Sequence, residues 1–197
     1  MANDDFARGL IPLNTNGHGT VNNHYYRVTT ATDLAIGMPV TLAVGFVQRA
    51  AVTGMVPCIG AIMGFSFNRG GSNEIRPWLR VSDITAGGGD WYAQVADDPA
   101  QEFFIQEDTG GTALTATAPQ LTISGLYQTT SIDAISGVAR LEIDASTAVL
   151  TTGQVFKILR LHDLVNSDGT QNALGDYAKW VVMFAHHQKR GGNIDVP

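Results

Sequence analysis

Cysteine is almost missing from this chain: Cys58 stands alone, so no intrachain disulfide can form and burial has to hold the fold together. Basic residues are sparse as well, Lys+Arg 12 against Asp+Glu 18 for a formal charge of -6, and they are scattered rather than gathered into a stripe. That distribution disfavours a nucleic-acid partner, which needs a concentrated positive face to displace counterions. Long apolar runs are missing too, none approaching the ~20 residues of a membrane span. The opening stretch Met1–Leu10 is acidic and polar and lacks the apolar region of a signal peptide. A soluble, unexported chain with no membrane partner, made in a reducing cytosol, is therefore expected. Helical periodicity is nearly absent.

What is present suits one principal β domain. A hydrophobic fraction of 44% over 197 residues supplies ample core without a metal or other cofactor. Only 15% of residues are charged, so much of the outer surface must be neutral, as in a subunit covered by neighbours. Apolar or alternating runs recur at spacings of roughly 8–20 residues between Gly, Asn, Asp and Thr clusters, the pattern of an all-β sandwich or barrel-like domain. Predicted strands are Tyr25–Thr30, Val40–Val44, Gly60–Phe67, Ile75–Val81, Trp91–Ala96, Glu102–Gln106, Val138–Ile143, Val155–Leu161 and Lys179–Ala185.

Alternation is clearest in Val138–Ile143, where Leu141 and Ile143 should face inward and Arg140 and Glu142 should face solvent or a neighbour. Val155–Leu161 and Trp180–Ala185 are more continuously apolar and read as central strands covered on both faces. Asn166–Asn172, Arg69–Asn73 and Ala86–Asp90 read as loops. The run Gly87-Gly88-Gly89 lacks the Lys-Ser/Thr pair and the following helix of a phosphate loop, so a turn is expected.

Several constellations are candidates for chemistry. His186-His187, with His162-Asp163 upstream, offers the one metal or acid–base cluster, but adjacent strand residues point to opposite faces, so strand-end solvation or an interface contact is expected. Asp97-Asp98 and Glu107-Asp108 flank a predicted hairpin around Pro99 and could pair for glycoside hydrolysis; solvated turns are the expected use. Asp163–Gly169 departs from the EF-hand register and lacks the closing Glu. Cys58 lies in an apolar stretch and is expected to be a buried, inert thiol. Trp78, Trp91, Trp180, Tyr25-Tyr26 and Phe103-Phe104 could form a sugar-stacking platform, although core packing is expected, with each adjacent pair divided between two faces.

Seven short blocks are spread over most of the chain: Phe6–Pro12, Ile36–Val40, Gly60–Phe65, Val95–Pro99, Phe104–Asp108, Ile158–Leu161 and Ala178–Val182. In their order and spacing they resemble a family of tailed-bacteriophage virion proteins. The resemblance implies a non-enzymatic capsid cement, or decoration, protein on the capsid surface of the virion, assembled in the host cytoplasm. Its implied partner is the major capsid protein, and the symmetry of icosahedral shells adds further copies of itself, expected as a trimer or dimer. A tail or receptor-binding component that recognises a host glycan is the alternative.

Residues 1–24 carry isolated apolar residues in a polar background and are expected to form an extended N-terminal arm, with the β domain at 25–187 and a C-terminal tail at 188–197. Capsid or inter-subunit contact is expected from Phe6, Arg8, Leu10 and Ile11 of the arm and from Ile194 and Val196 of the tail.

Overall fold

Apolar residues repeating every second position make strands, and a computed structural model places them as strands throughout. It describes residues 3–5, 7–13, 21–28, 32–67, 75–86, 90–150 and 153–190. The elements in chain order are β1 (Ile11–Pro12), β2 (Asn23–Val28), β3 (Leu34–Ala35), β4 (Pro39–Ala43), β5 (Phe46–Arg49), β6 (Gly60–Phe67), β7 (Ile75–Arg76) and β8 (Trp78–Leu79). A short helix α1 (Val81–Ala86) follows, then β9 (Trp91–Ala96), β10 (Phe103–Gln106), β11 (Thr122–Ile123), β12 (Gly125–Ile132), β13 (Ala139–Ile143), β14 (Phe156–Leu161) and β15 (Lys179–Phe184). The fold is all-β, as the spacing of apolar runs predicts.

One half is a small closed barrel. Its strands run β4-β5-β2-β9-β6, and β6 returns to β4 through Pro39↔Ala61 and Val40↔Gly60. The β2–β5 pair is parallel and the other neighbours are antiparallel. The other half is an antiparallel sheet, β1-β10-β15-β14-β11, flanked by the β12–β13 ribbon. The ribbon is tied to the barrel by Ala139 N–H donating to Ile36 C=O, and to the sheet by Asp108 N–H donating to Ile143 C=O. A single apolar cluster runs through both halves, from Val40, Ile62 and Phe65 to Phe103, Phe156, Trp180 and Phe184. Edge-on contact of Phe184 with Phe103, at 5.4 Å between centroids, lies at the sheet end of that cluster.

β15 is the middle strand of its sheet and is buried along most of its length, as predicted. β14 differs: Phe156 and Ile158 are buried while Lys157 and Leu159 are only half-buried, so this strand is fully covered on one face only. The predicted strand Ile75–Val81 breaks at Pro77, which has no N–H to give a ladder. β7 pairs with β6, β8 pairs with β3, and α1 begins where Asp33 accepts from Val81 N–H. β12 was not predicted, because Gly125–Ile132 is largely polar and half-exposed. The loops expected at Arg69–Asn73 and at Gly87–Gly89 lie outside the described residues.

The described part of residues 1–24 does not stand away from the body. β1 pairs with β10, β2 already belongs to the barrel, and the Asn3 amide donates to Ala173 C=O and Asp176 C=O. Leu10 N–H donates to Gly37 C=O at 2.9 Å. That approach needs two glycines face to face: a Cβ on Gly37 would lie 2.5 Å from Arg8 C=O, and one on Gly9 would lie 2.6 Å from Gly37 C=O. Both have positive φ. At the other end, Gln188 N–H donates to Cys58 C=O, and its side chain grips β4 by accepting from Leu42 N–H and donating to Leu42 C=O and Thr41 Oγ1. Residues 191–197 lie outside the described residues.

Replacing Gly37 with Ala should therefore destabilise the chain by roughly 2–3 kcal/mol and accelerate amide exchange at Leu10. Gly169→Ala, at a site with no atom within 4 Å of the added methyl, should cost about 1 kcal/mol and leave Leu10 protected. Urea denaturation and amide exchange measure both.

Candidate functional site

A carboxylate at the end of a buried strand must find donors, and Asp97, following β9, finds three. It is 1% exposed. His24 Nδ1 lies 2.9 Å from Oδ1, while Tyr26 OH and Lys189 Nζ both donate to Oδ2. Burial pushes the Asp97 carboxyl up, but the hydrogen bonds from Lys189, Tyr26 and His24 outweigh it and hold the group below the usual Asp range. Asp98 turns away, accepting from Ala100 N–H at 2.8 Å and from Asn22. The two carboxylates thus have separate duties. The segment is also no hairpin, since β9 belongs to the barrel and β10 to the sheet.

His186 and His187 are both buried, which corrects the strand-end solvation expected for them. The reason is that β15 stops at Phe184 and the chain then turns to lie beside Cys58, with His186 C=O accepting from Cys58 N–H. His187 Nδ1 accepts from Lys189 N–H at 3.1 Å, and its Nε2 is buried with no hydrogen-bond partner among the described residues. Burial, reinforced by Arg190, pushes the His187 imidazole down to about 4. Burial likewise pushes the Cys58 thiol up to about 12, giving the inert thiol that its apolar surroundings predict. Among the described residues no three His, Cys, Asp or Glu side chains are grouped to hold a metal ion.

Asp98 is half-buried and closes a turn as expected, whereas Asp97 and both members of the second pair, Glu107 and Asp108, are buried against the expectation of a solvated turn. Glu107 accepts from Leu114 N–H at 2.6 Å and from the Trp180 indole at 2.7 Å. Burial pushes its carboxyl up, against those two hydrogen bonds. Asp108 accepts from Ala145 N–H and Gly110 N–H. Glu142, expected to face solvent or a neighbour, is instead covered by β10 and β12, and its oxygens accept from the amides of Gln106 and Gln128. In the Asp163–Gly169 stretch, Asp168 closes its own turn by accepting from Thr170.

Aromatic residues mostly pack inward. Trp91, Trp180 and Phe103 are in the core, Trp78 is half-buried beneath Arg80, and Tyr25 is exposed while Tyr26 reaches Asp97. Adjacent aromatics do divide between faces, as predicted, and Phe104 emerges where Ile11 pairs with it. With Arg8, Leu164 and Val165 these two line a groove of about 230 Å3. Its volume suits a partner's side chain better than a metabolite. A wider and more polar trough of about 400 Å3 lies over the ribbon, lined by Gln128, Thr129, Thr130, Arg140 and Glu142.

Of the residues expected to make contacts, Arg8 and Ile11 line this groove. Leu10 does not: it is 1% exposed and packs in the chain's own core, because its neighbour Gly9 lies flat on Gly37 and directs it inward. Phe6, Ile194 and Val196 lie outside the described residues. Leu164 and Val165 were missed, although an apolar pair at the mouth of a polar turn is a legible signal. Apolar side chains also stand in solvent on both halves, Val44 (97%) and Met55 on the barrel side and Leu150 beside β11 of the sheet, with Ile135 (98%) on the turn of the ribbon.

The His187 environment makes stability depend on pH. An unfolded chain gains the imidazole proton near 6.5 and the folded chain only near 4. Between those values the unfolded state binds more protons, so this contribution is complete above 6.5 and is lost as the pH falls. His187→Asn, which keeps an acceptor but does not titrate, should flatten the dependence of the urea midpoint over that window. Comparisons with protein-family models, curated proteins and solved structures found no match, so the function of these surfaces has to be read from their own geometry.

Proposed function

We propose that this chain is a non-catalytic capsid cement protein of a tailed bacteriophage, binding between major capsid subunits on the outside of the shell, with copies associating as trimers or dimers. One observation carries the reading: a single continuous core joins the barrel and the sheet, and apolar side chains are displayed on both halves of that stiff body. A clamp needs such a design. It must touch two neighbours at separate places and must not bend between them, so that its interface energy opposes their separation.

The groove of Ile11, Phe104, Leu164 and Val165, which Arg8, Asp4 and Lys179 also line, supplies one contact face. Repeated contacts of modest area become strong when many copies sit on one lattice. The buried carboxylates support the same reading from the other side. Asp97, Glu107, Asp108 and Glu142 all spend their oxygens on hydrogen bonds within the chain, and so serve the fold.

Removing residues 1–13 would not test this cleanly, because Leu10 belongs to the core. Charge placed in the groove would. Particles that lack this protein should take up the purified chain to a fixed stoichiometry in a co-sedimentation assay. Val165→Asp, at an exposed site, should weaken uptake at least tenfold with an unchanged thermal midpoint. A wild-type chain that never associates with particles would end the reading.

A further inference from the structure

The β4–β5 hairpin turns in two residues, Val44 and Gly45, with Ala43 opposite Phe46. Both turn residues have positive φ, 51° and 83°. This is the turn whose twist suits a hairpin, and it favours Asn-Gly. A valine there is strained, because its branched β-carbon crowds the backbone in left-handed geometry. Among the described non-glycine residues of positive φ, which are Val44, Gln120 and Tyr177, it is the β-branched one. No packing within the chain offsets that strain, since the Val44 side chain is 97% exposed.

Two further features single out this tip. The hairpin is braced, because Gln188 holds both the N–H and the C=O of Leu42 as well as the Thr41 hydroxyl. It is also free of charge, from Val40 through Gln48. The chain therefore carries a bare aliphatic knob on a stiff neutral ribbon, at a cost to its own stability. Strain kept without internal reward marks a position held for an external contact.

We propose that Val44 is a binding knob that inserts into a neutral, apolar socket on the subunits of a repeating protein shell. This inference rests on the cement reading and names one of its contacts. The choice of occupant follows from area. A single valine buries far less than the ~800 Å2 per partner of a stable pairwise complex, so the knob alone cannot hold two free copies together. On a shell, a molecule already seated through another face presents the knob at high effective concentration, and a small contact then suffices.

Two variants separate strain from apolarity. Val44→Asn relaxes the turn and removes the aliphatic tip; Val44→Thr keeps the branched shape and the strain but adds a hydroxyl. With empty shells assembled from a phage major capsid protein as the probe, taken from particles that bind the wild-type chain, both variants should bind at least tenfold more weakly than wild type. Val44→Asn should also raise the thermal midpoint by about 3–6 °C, and Val44→Thr should leave it unchanged, which excludes misfolding as the cause of weak binding. If both variants bind as wild type does, the knob is wrong while the cement reading survives. If wild type does not bind the shells, both fall. A concentration-dependent self-association that Val44→Asn abolishes would make a second copy the occupant and overturn the assignment to a shell.

Discussion

The pairing of β4 with β6 is the constraint on which the remaining structure depends. Five short strands form a ring only if the last finds the first, and here the seam is narrow, Pro39↔Ala61 and Val40↔Gly60, extended by Gly37 N–H donating to Ile62 C=O and Ile59 N–H donating to Val40 C=O. A seam that short leaves backbone groups beside it in need of partners. Distant parts of the chain supply them. Leu10 joins at Gly37, Ala139 at Ile36, and the stretch from His186 to Gln188 brackets Cys58. The N-terminal segment, the ribbon and the C-terminal segment are thus all fastened within a few residues of one closure.

Because these attachments converge, the barrel and the sheet share one core and act as a single body. Asp97 shows how the polar side of that union is managed. A buried charge without donors is expensive, and its three donors come from β2 and from the C-terminal segment. The carboxylate thereby pins Lys189 beside the barrel, while Gln188 pins the neighbouring β4. The same segment serves both the electrostatics of the interior and the stiffness of an exposed hairpin.

The strands rich in apolar residues were legible in the sequence. β6 and β9 match their predicted limits residue for residue, and β15 differs by one residue at its end. The polar β12 was not legible, because its pairing depends on β13 and not on its own composition. Two-residue strands such as β1 and β11 carry too little pattern to be seen. Asp97, Glu107 and Asp108 were misread for a different reason, while Asp98 does close a turn as expected. Asp97-Asp98 and Glu107-Asp108 have the look of turns, and whether a turn is wet depends on what folds over it, which here is contributed by Lys189, Leu114, Ala145 and Trp180. The contact residues divide along the same line. Alternation gives two faces to Leu10 and Ile11, but only the docking of Gly9 on Gly37 decides that Leu10 is the one turned inward.

The distance along the chain between the Asn3 amide and its acceptor Ala173, 170 residues, governs when this protein can exist. Contacts of such separation form slowly, since loop closure precedes any reward. Gln188 beside Cys58 is a second contact of this kind, so the edge of the ring at Cys58 is finished only after a segment far downstream has been made. The fold is then completed late, by contacts between its most distant described segments rather than by its local hairpins.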